Sequence, residues 1–241
     1  MKRTYKHVGI LLLLLSLLSG CLYPDDQRKE NQQPNEVQLE SVQNAVEQYQ
    51  ERTNGLLPIK TKSSDTPIFE KYLIDFSAMK EENVLTELPG NSFENGGVYQ
   101  YTLIYPEDDP QVKLIDLRVT EELRKANVHL DGYRNKHIYP PFGEEIAEGL
   151  FTIDYQTLGF DEPLSIISPY SNEHLPIIMD TDGKLYIDYR IDLQKALGDF
   201  DHVFEEGDDI RYLIAENTPF VPVYSLPYTI KDGEPVFMNG Q

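Results

Sequence analysis

Cys21 is the only cysteine in 241 residues, so whatever folds downstream of it has no thiol to pair, ligate or react with. Disulfides, a thiolate-held zinc or iron–sulfur cluster and a cysteine nucleophile are all excluded there. The chain is long enough to bury an ordinary core without such crosslinks. The chain is 40% hydrophobic, with 16 tyrosines and 10 phenylalanines, enough for an ordered core rather than a disordered segment. Aromatic residues at this density favour strands.

The N-terminus reads as three zones. Lys2, Arg3 and Lys6 are positive, Val8 to Leu18 is apolar apart from Gly9 and Ser16, and Leu18-Ser19-Gly20-Cys21 follows. A membrane-crossing helix needs about 20 apolar residues, and this run is roughly half of that, the length of a signal-peptide core. Leu18 through Cys21 resembles the lipobox of bacterial lipoproteins at all four positions. The resemblance implies cleavage between Gly20 and Cys21 and diacylglycerol on the Cys21 thiol. Residues 1–20 are then removed and the rest is held on the outer face of the cell membrane. Two acyl chains anchor firmly, because each buried CH₂ contributes about 0.8 kcal/mol. Residues 21–34 are polar, lack a hydrophobic period and read as a flexible tether. Scarcity of cysteine also suits an exported Gram-positive protein.

The formal charge is −20, from 41 acidic and 21 basic side chains, and loss of the leader removes only bases. Nucleic acid binds through clustered Lys and Arg that displace counterions, so nucleic acid is excluded as a partner. The same charge repels anionic headgroups, leaving the lipid on Cys21 as the membrane contact. Such a surface attracts cations, basic proteins or cationic polymers, or serves solubility alone.

Along the chain the pattern is α+β, with an N-terminal helix packed on antiparallel sheets and a β-hairpin-rich second half. Asn35 and Gln38 suit a capping box, Leu39, Val42, Val46 and Tyr49 form one stripe, and Gly55 ends the helix. Val98–Tyr105 and Val112–Leu117 read as partner strands around the Pro106–Pro110 turn, and Thr120 as the cap of a short helix over 121–126. After Tyr139 strands and turns dominate, with one helix near Asp192–Leu197. The parts are an α+β segment, 35–138, and a hairpin-rich segment, 139–241, as one continuous domain or two.

The second half repeats itself. Ser168-Pro169-Tyr170, Leu175-Pro176, Asp182-Gly183 and Tyr186-Ile187 recur about 50 residues later as Thr218-Pro219-Phe220, Leu226-Pro227, Asp232-Gly233 and Phe237-Met238. Gly149–Tyr155 echoes Gly183–Tyr189, and Leu57-Pro58 through Asp75 echoes Leu175-Pro176 through Asp192. Asp-Gly between apolar runs is a hairpin signature. Two readings compete: a duplicated hairpin unit, or chance recurrence of stock parts of β-rich domains. The lipobox, the helix ending in Gly-Leu-Leu-Pro-Ile, and the Tyr-x-Ile-Asp and Leu-Pro-Ile segments resemble the YphF-type lipoproteins of Bacillus and relatives. That resemblance implies a lipid-anchored lipoprotein and carries over no catalytic or binding residue beyond Cys21.

Chemistry is sparse. Asp180, Asp182 and Gly183 fit three positions of a calcium loop, but Ile178 and Tyr189 fall where two carboxylates belong, so a turn is expected. Asp199, Asp201, Glu205, Glu206, Asp208 and Asp209 crowd around Gly207 as a solvated loop or a weak Ca²⁺ site; no other cofactor is indicated. His129, His137, His174 and His202 lack ligand spacing, and no Gly-x-Ser-x-Gly elbow appears. Tyr99, Tyr101 and Tyr105 share a strand face as a core face or a sugar-stacking platform. With no catalytic residue assigned, the expected function is a non-enzymatic domain engaging an envelope protein or cell-wall polymer. The alternatives are a solute-binding lipoprotein of a transporter and, third, an extracytoplasmic hydrolase.

Overall fold

The structure is a computed structural model that describes residues 35–238. The leader, Gly20, Cys21 and the stretch up to Pro34 lie outside the described residues. Helix α1 (Asn35–Arg52) buries Val42 and Val46 completely, with Ala45 between them and Leu39 and Tyr49 alongside. The chain leaves it through Gly55 at φ +91°, whose N–H donates to the Gln50 carbonyl at 2.8 Å. Glycine enters this left-handed conformation without a Cβ penalty. Asn35 lies inside the helix, and its Oδ1 accepts from Asn91 Nδ2 at 2.9 Å. Gln38 Oε1 accepts the Asn91 N–H at 3.0 Å, and the Tyr101 hydroxyl donates to Asn91 Oδ1 at 2.6 Å. The N-terminal polar residues of α1 are thus spent on tertiary contacts. Gly97 is required beside this knot, since a Cβ there would lie 2.1 Å from the Asn91 carbonyl oxygen.

Strands β1 (Tyr99–Ile104) and β2 (Gln111–Asp116) pair antiparallel, Tyr99 opposite Asp116 through Ile104 opposite Gln111. Tyr101, Leu103, Val112 and Leu114 pack with α1 and with Ile74, Phe76 and Met79. Ile104 and Ile115 face a second, larger core. The hairpin is buried on both faces, where each aliphatic contributes about 1.5–3 kcal/mol, and its buried polar residues are paired, Thr102 Oγ1 donating to the Phe69 carbonyl at 3.0 Å. Short extended pieces widen it: Leu73 bridges Thr102, Ile59 bridges Ile74, and Phe220 joins Leu114 in parallel from the far end of the chain. Between them lie α2 (Ile68–Lys71) and α3 (Phe76–Glu81), the latter capped by the Asp75 carboxylate.

Helix α4 (Leu117–Arg134) starts directly from β2. Its cap is Asp116, not Thr120, and it runs well past Ala126 because Val119, Leu123, Ala126 and Leu130 form one buried stripe. Next come β3 (Phe142–Ala147), β4 (Leu150–Ile153), β5 (Ser165–Ile167), β6 (His174–Asp180) and β7 (Leu185–Ile187). All pair antiparallel: β6 takes β4, β5 and β7 as partners, and β3 extends β4. Helix α5 (Arg190–Asp199) contains the expected helix. Helix α6 (Arg211–Asn217) was not read from the sequence, although Leu213, Ile214 and Ala215 are buried. Strands β8 (Tyr228–Lys231) and β9 (Glu234–Phe237) close the chain as a hairpin. The fold is α+β, with a helix on antiparallel sheets and a hairpin-rich second half.

Both Asp-Gly pairs turn hairpins, by different geometries. Asp232 and Gly233 both have positive φ and form a two-residue turn between Lys231 and Glu234, the type that matches strand twist. At the first pair only Gly183 is left-handed, and Asp180 Oδ1 braces a wider turn by accepting the Asp182 and Lys184 N–H groups at 2.9 Å. Ser168 and Thr218, which open the two copies, form the same local turn, each hydroxyl accepting the N–H two residues on at 3.0 and 3.1 Å. The echo of Leu57-Pro58 through Asp75 is out of register: Asp75 caps α3, but Asp192 is buried within α5, and Asp188 accepts the N–H two residues on as Asp75 does.

The described residues belong to one compact unit. Lys113 on β2 reaches into the second half, donating to the Glu216 and Thr218 carbonyls at 3.1 Å each. Burial lowers its pKa, opposed by the nearby Glu216 charge.

Candidate functional site

A three-residue device recurs where α4, α5 and α6 begin. Asp116, Asp188 and Asp209 each accept the backbone N–H of the arginine two residues on, at 3.0, 3.1 and 3.1 Å. Each carboxylate also grips that arginine's guanidinium, with Nη2–Oδ2 distances of 2.5, 2.5 and 2.6 Å for Arg118, Arg190 and Arg211. The guanidinium carbons lie 5.7, 4.8 and 5.3 Å from the ring centroids of Tyr99, Phe237 and Phe69. A carboxylate at a helix N-terminus satisfies an orphan donor and meets the positive end of the dipole. The forked arginine is thereby locked over its ring.

The first of these forks forms one wall of a cleft of about 660 Å³. Tyr99 and Phe220, ring centroids 5.7 Å apart, stand beside Arg118. Opposite lies β5, an edge strand, with Ile167 60% exposed. Asn35, the first described residue, sits on the rim. The Ser168–Asn172 turn that completes the wall is held from beneath by Asp192, which accepts from Ser168 Oγ at 2.6 Å and Ser171 Oγ at 2.5 Å. Burial pushes the Asp192 carboxyl up from the usual range, while the two serine hydroxyls pull it down. One contact in the cleft has the form of a nucleophile and base: Ser165 Oγ lies 2.8 Å from His174 Nδ1. Among the described residues His174 makes no other side-chain hydrogen bond.

The residues singled out from the sequence are mostly elsewhere. Within the acidic run, Asp199 pairs with Lys195 at 3.2 Å and accepts from the Tyr170 hydroxyl at 3.0 Å. Asp208 accepts the Glu205 N–H at 2.8 Å, Asp209 is forked to Arg211, and Glu206 lines a separate cleft of about 460 Å³ with Arg190 and Lys231. Asp201 is exposed. Three of the six carboxylates are therefore engaged within the chain. Among the described residues no group of three or more His, Cys, Asp or Glu is placed to hold a metal ion. His129 bonds the Leu158 carbonyl at 3.0 Å, and His137 stacks on Tyr133 at 4.0 Å. Tyr101 is core, and burial drives its hydroxyl pKa far above the usual range. Tyr105 leaves the strand at φ +51°, so the three tyrosines make no common platform.

Arg118 and Ile167 went unread in the sequence, and Phe220 was read only as part of the repeat. The fork had a legible signal, Ile-Asp-Leu-Arg, Ile-Asp-Tyr-Arg and Asp-Asp-Ile-Arg at 115–118, 187–190 and 208–211. The meeting of Tyr99 with Phe220 had none.

The fold and cleft define an α+β domain with an aromatic-walled groove along a sheet edge. Residues 35–116, from the start of α1 to the cap of α4, match the model of the YphF family N-terminal domain, which supports a YphF-type assignment for that part of the chain. No curated protein and no solved structure matches the chain.

Proposed function

We propose that the chain is a lipoprotein anchored through lipid on Cys21 to the outer face of the cell membrane. Its domain is a non-enzymatic module that binds another envelope component in the cleft between α4 and β5. The cleft carries this reading. Tyr99, Phe220 and exposed Ile167 supply apolar contact beside an edge strand, the arrangement with which sheets take up an extended segment of a partner. Localisation rests on Leu18–Cys21. Asn35, on the cleft rim, follows the tether directly, so anchoring would keep the cleft within reach of other membrane-attached molecules. Among the described residues no helix is long and apolar enough to cross a membrane.

The antiparallel sheets lack the alternating strand–helix lobes that a transporter's solute receptor usually has. A hydrolase would have Ser165 and His174 as its foothold, without a carboxylate orienting the imidazole.

Two measurements test the proposal. Cys21→Ser should abolish palmitate labelling and release the protein from the membrane fraction; retention without label would sink the anchor. A photo-crosslinker at Ile167 in intact cells should capture a defined partner absent from a crosslinker at exposed Val203. Identical adduct patterns at both positions would sink the cleft.

A further inference from the structure

A second, smaller pocket of about 190 Å³ lies where the β1–β2 turn meets α6, and its lining has an unusual chemistry. Three tyrosines, Tyr72, Tyr105 and Tyr212, surround it with Glu107 and Asp108, and no lysine, arginine or histidine lines it. The backbone builds this arrangement. Tyr105 follows the last residue of β1 and takes φ +51°, a conformation that bulky residues rarely hold. Its ring is thereby thrown out of the strand's alternation and onto Tyr212, centroids 5.1 Å apart and planes 22° from parallel. Its hydroxyl donates to the Glu216 carboxylate, and Tyr212 rests in turn on Phe69 at 5.3 Å. The chain already shows what these rings attract: the Lys71 ammonium sits 5.7 Å from the Tyr72 centroid. The neighbouring cations otherwise point elsewhere, Lys113 to carbonyls and Arg211 into its fork.

From this geometry we infer that the pocket is a binding site for an alkylated ammonium group. Tyrosine π-faces attract a diffuse cation and its methyl groups fill apolar space, while Glu107 and Asp108 in the lining supply opposite charge. A bare metal ion would instead need converging oxygen ligands. The site is distinct from the α4–β5 cleft and does not depend on that cleft's role.

The test compares choline with 3,3-dimethyl-1-butanol, its neutral isostere, by calorimetry on the full-length protein in maltoside micelles. Tyrosine fluorescence is a second readout, since the chain has no tryptophan. Choline should bind about 10-fold tighter than the isostere, because only the charge differs. Tyr105→Leu should weaken choline about 10-fold and Tyr105→Phe, which keeps the ring, far less. If Tyr105→Leu fails to fold, the double change Glu107→Gln with Asp108→Asn decides, with an expected loss of roughly threefold that added salt reproduces in the parent. Equal affinity for choline and the isostere, no binding of choline at 50 mM, or unchanged binding in the ring-deleted or charge-neutralised proteins would each overturn the assignment.

Discussion

The starts of α4 and α6 are built from the same parts and lie in opposite surroundings. Each has an aspartate that accepts the backbone N–H of an arginine two residues on, and an aromatic ring under the guanidinium. At α4 the Arg118 side chain is 63% exposed and stands on the wall of the cleft. At α6 the Arg211 side chain is 10% exposed, lies over Phe69 and also donates to the Ser225 carbonyl and hydroxyl at 3.2 Å. The local sequence sets the fork, and burial sets what the fork is worth. An ion pair in water gains little, because solvation competes and salt screens it. Removing one partner of a buried pair strands the other's charge where water cannot reach it.

That contrast orders the expected effects. Arg211→Ala should cost the most, about 3 kcal/mol in urea unfolding, since it removes a buried guanidinium packed over Phe69 and breaks its bonds to Asp209 and to the Ser225 carbonyl and hydroxyl together. A loss below about 1 kcal/mol would show that burial does not set the scale. Asp188→Asn, at the fork of intermediate exposure, should cost about 1–2 kcal/mol, by weakening the grip on Arg190 while preserving shape. Arg118→Ala should cost about 1 kcal/mol, because the exposed guanidinium is well solvated while the Asp116 carboxylate it leaves, 4% exposed, keeps its bond from the residue-118 N–H, and a further effect is expected in partner capture at the cleft. A large loss of stability there would erase the distinction between the two forks.

Glu70 sharpens the comparison from the other side, as an acid without an arginine fork. Its Oε1 is buried with no hydrogen-bond partner among the described residues. Burial raises its pKa above the usual 4.5, opposed more weakly by a hydrogen bond from the Tyr224 backbone and by the charges of Lys184 and Lys62. A raised carboxyl pKa means that the folded state holds the proton more tightly than the unfolded one. The stability this confers is fully present below pH 4.5 and is lost as pH rises through the folded pKa. Glu70→Gln should therefore match the parent below pH 4.5 and exceed it increasingly above, as read from unfolding midpoints across pH. Parallel curves would show that Glu70 is solvated like any surface acid.

Much of the fold was legible in local signals. The α1 stripe, the β1–β2 hairpin and both Asp-Gly turns follow from spacing and from residues that tolerate left-handed backbone, which neighbours along the chain are enough to set. Helix α4 was read short because Thr120 looked like a cap; Asp116, at the end of an apolar strand, does that work. Helix α6 was missed because the acids before it suggest a solvated loop, yet Asp209 is drawn out of that loop by Arg211. The candidate sites were less legible still. Tyr99 and Phe220 are far apart in sequence, and only the parallel bridge between Leu114 and Phe220 brings them together.

By itself, then, the sequence determined the apolar stripe of α1, where hairpins turn, and that no thiol chemistry is open to residues beyond Cys21. These depend on side-chain type and on neighbours a few residues away. Tertiary structure alone decided which of three like forks stands on the α4–β5 cleft, which tyrosine is core and which is pocket wall, and that an edge strand lies beside an aromatic pair. Those outcomes depend on burial and on contacts across the chain, set by how the two cores close around the β1–β2 hairpin.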